Sequence, residues 1–441
     1  MRNVELADDG YPFLRVGDIE GGSFSLDGKS FLKRDLVKRF ANKLSAAGDV
    51  IITTKGSVGR TALVPDDIPQ FAYSPQVSFW RVKNKSKLDN QYLRYWMSST
   101  EFVSQMNKFK GQTSMADYFS LDDQRRLVIS LPPITVQHRI GGILGTLDNK
   151  IALNRKMNQT LEEMARALYK HWFVDFGPFK DGEFVKSEIG RIPRGWGVKS
   201  LDQIATFLNG LALQKYPPES NDYLPVIKIA QMNRGNTHSA DKASTRIDPK
   251  FIVDDGDVLF SWSGTLDVKL WFGGKGALNQ HLFKVASDSY PKWFYYLWTL
   301  HYLPKFQKIA KDKATTMGHI QREHITKSLV SIPPPEQLEN LSGLMEPLLN
   351  QIIRNGIENK KLAEVRDYLL PKLMSGEVEV KVADKGVEEI ETPFHNVREI
   401  GTMNEEDAVS KLKTLGFSEA KAKEVWAIET GKSTGDTIQG E

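Results

Sequence analysis

Two stretches of the chain place apolar residues at steps of three and four. In the first, Val136, Ile140, Ile143, Leu147, Ile151, Leu161, Met164, Leu168 and Trp172 share one helical face. In the second, Leu341, Leu344, Leu348, Ile352, Leu362, Val365, Leu369 and Leu373 do the same. Each stretch covers about 36 residues, or roughly 54 Å of helix at 1.5 Å per residue. A spacing that stays near 3.5 marks a seam between paired helices rather than a broad core face. Two amphipathic helices lying on separate cores would also satisfy the pattern. The matched lengths, well beyond most globular helices, favour mutual antiparallel pairing. Leu147, Ile151, Leu161 and Leu168 would then face Leu348, Ile352, Leu362 and Leu369 along the seam. The seams are interrupted at Asn154 and at Asn355, near the middle of each stretch. In an antiparallel pair of equal helices the midpoints cross. The two amides are therefore expected to meet and to set the register.

Upstream of each helix the pattern changes to short β-rich runs broken by Gly, Asn, Asp and Pro. Val50-Ile51-Ile52 and Val77-Ser78-Phe79-Trp80 precede the first helix. Val258-Leu259-Phe260 and His281-Leu282-Phe283-Lys284-Val285 precede the second. The chain is written twice. Gly48-Asp49-Val50 recurs as Gly256-Asp257-Val258, and Gln112-Thr113-Ser114-Met115 as Ala314-Thr315-Thr316-Met317. Ile129-Ser130-Leu131-Pro132-Pro133 recurs as Val330-Ser331-Ile332-Pro333-Pro334, and the helical leucines repeat at a constant shift of 201 positions. A period that long is too large for a solenoid unit and describes two copies of a domain-plus-helix module. Phe173 to Trp196, rich in Gly, Lys and Pro, reads as a connector. After Gly376 the second helix ends, and a charged stretch leads to a small amphipathic pattern between Asn404 and Ile428.

The expected architecture is α+β: two β-rich domains separated by two long antiparallel helices in a pseudo-twofold repeat. The segments are 1–133, 134–190 (helix and connector), 191–334, 335–379 (second helix) and 380–441 (acidic linker and small helical tail).

With 441 residues and no cysteine, a disulfide scaffold, a Cys-ligated zinc site and a thiol nucleophile are excluded. The absence of a signal-peptide pattern or a long apolar run points to a cytoplasmic protein without a membrane span. The net charge of +4 is unevenly distributed. From Asp384 onward there are 13 acidic and 7 basic residues, leaving 42 acidic and 52 basic residues before it. That balance hints at an anionic partner such as nucleic acid.

Candidate catalytic motifs are weak. Gly431-Lys432-Ser433 lacks the upstream glycine of a phosphate loop, since Trp426 stands in its place. His319, Glu323 and His324 miss the metalloprotease spacings. Glu379-Val380-Lys381 has no upstream acid in a strand. Gly274-Lys275-Gly276 reads as a hairpin turn. No Asn/Asp-Pro-Pro-aromatic motif for amine methylation is present. The reading is a binder that is not an enzyme, with no catalytic residue and no metal site.

Two polar segments recur and are the candidate DNA contacts. The first follows each Gly-Asp-Val/aliphatic strand: Lys55, Ser57 and Arg60 in copy one; Ser261, Trp262, Ser263, Thr265 and Lys269 in copy two. Hydroxyls and glycines let backbone approach a phosphate, and the cations supply charge. The second precedes each proline pair: Lys108, Lys110, Gln112, Thr113 and Ser114, then Lys311, Lys313, Thr315 and Thr316. Gln76, Asn279, Gln280 and His281 add groups suited to base edges. For any one of these residues a solvated loop explains it as well. The argument is that both segments occur in both copies.

The ordered series is Tyr11-Pro12-Phe13-Leu14-Arg15-Val16-Gly17-Asp18-Ile19, the Gly-Asp-Val turn, Gly-Gln-Thr-Ser-Met, the double proline and the long helix, repeated with Tyr223-Leu224-Pro225-Val226-Ile227 in copy two. It resembles the DNA-specificity subunit of type I restriction–modification enzymes over about residues 11 to 376. The resemblance implies two target-recognition domains, each reading half of a bipartite, asymmetric site in double-stranded DNA. It implies conserved helices that hold the domains apart and dock two modification (methyltransferase) subunits, with restriction/translocase subunits as further partners. Lys150, Arg155, Lys156, Arg166 and Lys170 on the first helix, with Arg354, Lys360, Lys361 and Arg366 on the second, are the expected outward faces for docking. The resemblance also implies no cofactor in this chain, with S-adenosylmethionine, ATP and Mg in the partner subunits. Copy two opens with Ile192-Pro193-Arg194-Gly195-Trp196 and Leu201-Asp202, a segment without counterpart before Tyr11, so the first domain is expected to lack it. Leu415-Gly416-Phe417 and its surroundings are similar to ubiquitin-associated three-helix domains. Competing readings are a self-contained methyltransferase, a coiled-coil scaffold, and a DNA-binding protein outside a restriction system. Salt-dependent DNA binding separates the DNA readings from the scaffold.

Overall fold

The computed structural model describes residues 6–7, 9–26, 31–109, 111–112, 117–312, 318–380, 407 and 410. The small tail pattern at 404–428, with its ubiquitin-associated likeness, lies outside the described residues apart from two isolated positions. Residues 1–380 form one compact unit.

The first domain is built on β1 (Tyr11–Leu14), β2 (Val50–Thr53), β3 (Thr61–Leu63), β4 (Ala72–Tyr73) and β5 (Val77–Trp80). β2 is central, antiparallel to β3 and β5, with Val50 opposite Trp80 and Thr53 opposite Val77. All four of its residues are buried, as the continuous apolar run requires. β1 lies parallel to β4 in a second sheet. α1 (Asn90–Trp96), capped by the Asp89 carboxylate on the Tyr92 amide, and α2 (Thr100–Phe109) complete the domain.

The chain then enters α3 (Ile134–Tyr169), a helix of 36 residues. The second domain follows, with β6 (Gly197–Ser200), β7 (Thr206–Asn209), β8 (Leu224–Ile227), β9 (Val258–Ser261), β10 (Asp267–Leu270), β11 (Gly276–Leu278), β12 (Leu282–Ala286), helix α4 (Lys292–Asp312) and β13 (Leu329–Ile332). Its main sheet runs β7-β12-β9-β10. β9, β10 and β12 repeat β2, β3 and β5, and the parallel pair β8·β11 repeats β1·β4. α5 (Pro335–Ser375), 41 residues long, ends at Gly376, whose φ of 77° suits a residue without Cβ.

The expected α+β architecture is present, and the two long helices pair antiparallel. The domains sit at opposite ends of the pair. Ile140 and Leu144 of α3 join Leu373 of α5 in the core of the first domain. Ala165 and Tyr169 join Met345 and Leu349 in the core of the second. The seam therefore continues at each end into a domain core. Ile151 and Ile352 are buried between the helices, while Leu147, Leu161, Leu168, Leu348, Leu362 and Leu369 are half-buried.

The expected Asn154–Asn355 bond does not form. Both residues are buried in the seam, but Asn154 donates to Asn359 at 3.0 Å and to Glu358 at 2.7 Å. Asn355 donates to Asn158 at 2.8 Å. Asn158 and Asn359 are themselves related by the 201-residue shift. The pseudo-twofold thus passes about half a helical turn from the midpoints, between two equivalent amide pairs rather than through one. A side chain on the axis would have to bond its own image head-on. Two offset pairs give the buried Asn154 and Asn355 amides a side-chain acceptor each without that clash. Asn158→Leu and Asn355→Leu are each expected to destabilise the chain by about 1–3 kcal/mol, because each strands a buried amide. The double variant should lose clearly less than the sum, as measured by chemical denaturation. Strict additivity would show that the two amides are not coupled.

The segment from Phe173 to Trp196 is not a loose connector. Phe173 and Trp196 are buried and pack tilted with ring centres 5.5 Å apart, Phe176 and Phe179 pack edge-on against the same indole, and Phe184–Ser187 pairs with Gly190–Pro193 as a hairpin. The Gly, Lys and Pro content describes its surface, whereas its rings close the core of the second domain. Gly274-Lys275-Gly276 is also not a hairpin turn. It crosses from the β10 sheet to β11, which pairs with β8 and Ile252–Val253. Trp271 Nε1 donates to the Gly274 carbonyl and the Gly274 amide to Asp255, which hold the crossing.

One difference between the copies follows from the opening segment of copy two. There β6 pairs with β13. Residues 128–131, the counterparts of β13, have no strand partner among the described residues, and Val128 and Leu131 are exposed. The Val128 amide and carbonyl are met by the side-chain amide of Gln105 at 2.9 and 2.7 Å.

Candidate nucleic-acid interface

In each domain the first recurring polar segment is joined by backbone pairing to residues just downstream of the second, distant in sequence. In the first domain Lys55 bridges Tyr118, the Gly56 amide bonds Asp117, and the Phe119 amide bonds Thr54 at 2.8 Å. In the second, Ser263 bridges His319, the Gly264 amide bonds Gly318, and the Ile320 amide bonds Trp262 at 3.0 Å. The same clasp is thus built twice. The strand ends that carry it are held by a buried hydroxyl. Thr53 Oγ1 donates to the Ser57 carbonyl and accepts from the Arg60 amide. Ser261 Oγ donates to the Thr265 carbonyl at 2.6 Å and accepts from the Asp267 amide at 2.8 Å.

That geometry sorts the candidate residues. Ser261 is completely buried and its hydroxyl is committed to the hairpin, so it has no reach toward DNA. Ser263 and Asn279 are also buried. Ser263 Oγ lies 3.1 Å from His281 Nδ1, and Asn279 Oδ1 accepts the His281 amide. These three are corrected from contacts to supports, because hydroxyl and amide residues suit tight turns for the same reason that they suit grooves. Lys55, Ser57, Gln76 and Thr265 are exposed. Arg60 is exposed, with one guanidinium nitrogen on the Ile19 carbonyl at 3.0 Å. Trp262, Gln280, His281 and Lys269 are half-buried, and Lys269 lies 3.2 Å from Asp267. Trp262 donates from Nε1 to Asn209 and packs near His281 and edge-on to His319. Lys108 and Lys311 are exposed in the last turns of α2 and α4. Lys110, Thr113, Ser114, Lys313, Thr315 and Thr316, and the side chain of Gln112, lie outside the described residues.

Tyr118, His319 and Asn209 were not among the candidate DNA contacts read from the sequence, His319 having been weighed only as part of a metal motif. Tyr118 and His319 are separated by 201 positions, so the leucine shift, carried upstream of the proline pairs, marks them as equivalents. A pocket of about 260 Å³ adjoins the second clasp at Asn279, with Lys228 and Lys242 on its wall. Of the weaker motifs, His324 serves its own helix, where Nδ1 accepts the Gln321 amide.

The description "Type I restriction modification DNA specificity domain" matches residues 2–163 and again residues 193–366, one match per copy. The chain belongs to the type I restriction–modification specificity family. The specificity subunit of the MjaIX restriction enzyme from Methanocaldococcus jannaschii is 25% identical over 365 residues, covering 80% of this chain and 83% of that protein. The HindI specificity subunit from Haemophilus influenzae is 23% identical, covering 86% of this chain and 97% of that one. Among solved structures, the S subunit from M. genitalium superposes with a TM-score of 0.48 at 15% identity, covering 85% of this chain and 91% of that chain.

Within this specificity-family chain, charged contacts attach each domain to the helices. Asp148 of α3 pairs with Arg94 of α1 and with Arg366 of α5. Lys360 of α5 reaches Asp255 of the second domain at 3.3 Å. Arg366 and Lys360, expected on the outward basic face, are thus turned inward to carboxylates. Exposed Arg155, Lys156, Arg354 and Lys361 remain on the helix surface. No helix among the described residues is long and apolar enough to cross a membrane.

Proposed function

We propose that this chain is the DNA-recognition subunit of a type I restriction–modification complex. Residues 1–133 and 191–334 would be its target-recognition domains, each reading half of a bipartite asymmetric site. The observation that carries this reading is the duplicated clasp on two domains held at opposite ends of a helix pair. Two similar but non-identical reading surfaces at a fixed separation are what a two-part, asymmetric site requires. The buried amide pairs near the helix crossing hold that separation.

In this reading the chain itself does no catalysis. Methyl transfer from S-adenosylmethionine belongs to two modification subunits docked on the helix pair. ATP- and Mg-dependent work belongs to restriction subunits. Pseudo-twofold helices offer two related docking faces, hence two copies of one partner. Methylated-base sequencing of the host with and without this gene tests the proposal. Loss of one bipartite motif is the expected result, and an unchanged methylome would overturn it.

The cations at the helix ends should act on affinity rather than on sequence preference. Neutralising Lys108 with Lys110, or Lys311 with Lys313, is expected to weaken DNA binding by the assembled complex. The slope of log affinity against log salt should flatten by about one for each phosphate that the variant no longer neutralises. An unchanged slope would remove these lysines from the interface.

A further inference from the structure

We infer that the half-site preference of each domain is set by the side chains standing around its clasp: Lys55, Gln76 and Tyr118 in the first domain, and Trp262, His281 and His319 in the second. The inference rests on the DNA-recognition reading and assigns the reading residues within it.

The clasps share their backbone and differ at their tips. The bridge residues Lys55 and Tyr118 of copy one correspond to Ser263 and His319 of copy two. The hydroxyls beneath, Thr53 and Ser261, are equivalent in placement and bonding. A repeated scaffold with chemically different tips is the arrangement that gives one fold two sequence preferences. The lysines of α2 and α4 stand on helix ends and suit phosphate, which positions a protein on DNA without reading it.

The backbone at the tips is fixed, and in copy two the His281 and Trp262 side chains are also held. Lys55 and Tyr118 are exposed and pinned by their shared bridge, and Gln76 is exposed where its own carbonyl accepts the Thr54 amide at 2.8 Å. In copy two, the contact of His281 Nδ1 with Ser263 Oγ orients the ring, leaving Nε2 beside the Gln280 amide at 3.4 Å. His319 is exposed and set edge-on to Trp262 at 6.4 Å. The Trp262 indole is itself tied to Asn209 at 3.0 Å. A lysine and a glutamine suit the purine edges of the major groove, the first guanine O6 and N7 and the second adenine N6 and N7. The second domain instead presents imidazole rings and an indole face, which suits a different set of base edges and a thymine methyl.

The test is selection of bound sequences from randomised duplex DNA by the complex assembled with its methyltransferase subunits. Lys55→Ala and Gln76→Ala should relax the first half-site, with about tenfold or greater loss of discrimination at the affected base pair, and leave the second half-site unaltered. His281→Ala and His319→Ala should do the reverse. His281→Gln keeps a polar group toward Ser263 and controls for local collapse. Should His281→Ala lower the melting temperature, the exposed Lys55, Gln76 and His319 variants decide the outcome. Variants that fold and retain both half-site preferences would overturn the assignment while leaving the DNA-recognition reading intact. A wild-type complex that selects no bipartite motif would overturn both.

Discussion

Exchanging residues 196–333 for the same region of a relative is expected to change one half of the methylated motif and leave the other half as it was. The physical basis is that each domain has its own core. Val50, Ile52, Trp96 and Phe102 belong to the first, and Phe260, Val285, Phe294 and Phe306 to the second. Among the described residues no side chain of one core completes the other, because the helix pair stands between them. Two contacts limit where the exchange can be cut. Trp196 closes on Phe173 at 5.5 Å, so an aromatic residue must be kept there. Gly356 of α5 lies under the Phe272 ring, and a Cβ at that glycine would sit 2.6 Å from the ring. A donor domain with a different contour at Phe272 would push on α5, and overpacking of that kind costs about 1–3 kcal/mol. Methylated-base sequencing reads the result. A change in both halves would mean that the domains do not read independently.

Replacing Asp148 with Ala is expected to lower stability by about 3 kcal/mol, toward the lower end of what removing one partner of a buried ion pair produces. Asp148 is the meeting point of three elements. Its carboxylate lies 2.7 Å from Arg94, 2.8 Å from Arg366 and 2.7 Å from the Tyr95 hydroxyl, which donates to it. Removing it leaves the Arg94 guanidinium without its carboxylate and beside that of Arg366, which keeps only Asp367 as a partner; both are largely shielded from water. Burial alone would push the Asp148 carboxyl up, but Arg94, Arg366 and the Tyr95 hydrogen bond outweigh it and hold the group below its ordinary value. A lowered folded-state pKa means that the contribution is fully present above the unfolded carboxylate value of about 3.9. It disappears as the pH falls through the lower, folded value. The stability gap between wild type and Asp148→Asn should therefore be large at neutral pH and narrow in strong acid. Thermal unfolding at both pH values checks this, and a gap that persists undiminished in acid would sink the electrostatic account.

Much of the architecture was legible in the chain itself. Periodicity near 3.5 and matched length foretold the paired helices, although Ile143, Met164, Leu344 and Val365 of the same stripes stay exposed. The 201-residue repeat foretold two domains of one design, and the first of the recurring polar segments is clasped in both copies. These features follow from local rules, in which burial sets the period and duplication copies it. What lay beyond such rules was decided by packing. The register of the helix pair was settled by four asparagines acting as two offset pairs, and no single midpoint in the sequence announces that offset. Ser261, Ser263 and Asn279 became supports rather than contacts because a hydroxyl or amide serves a turn and a groove by the same hydrogen bonds, and only burial tells the two apart. Arg366 and Lys360 turned inward because carboxylates from other elements arrived beside them. Tyr118 and His319 acquired their places only when distant segments were zipped by backbone pairing. That pairing is carried by amides and carbonyls that every residue shares, so the sequence leaves no mark of it, and tertiary structure alone could bring those side chains to one edge.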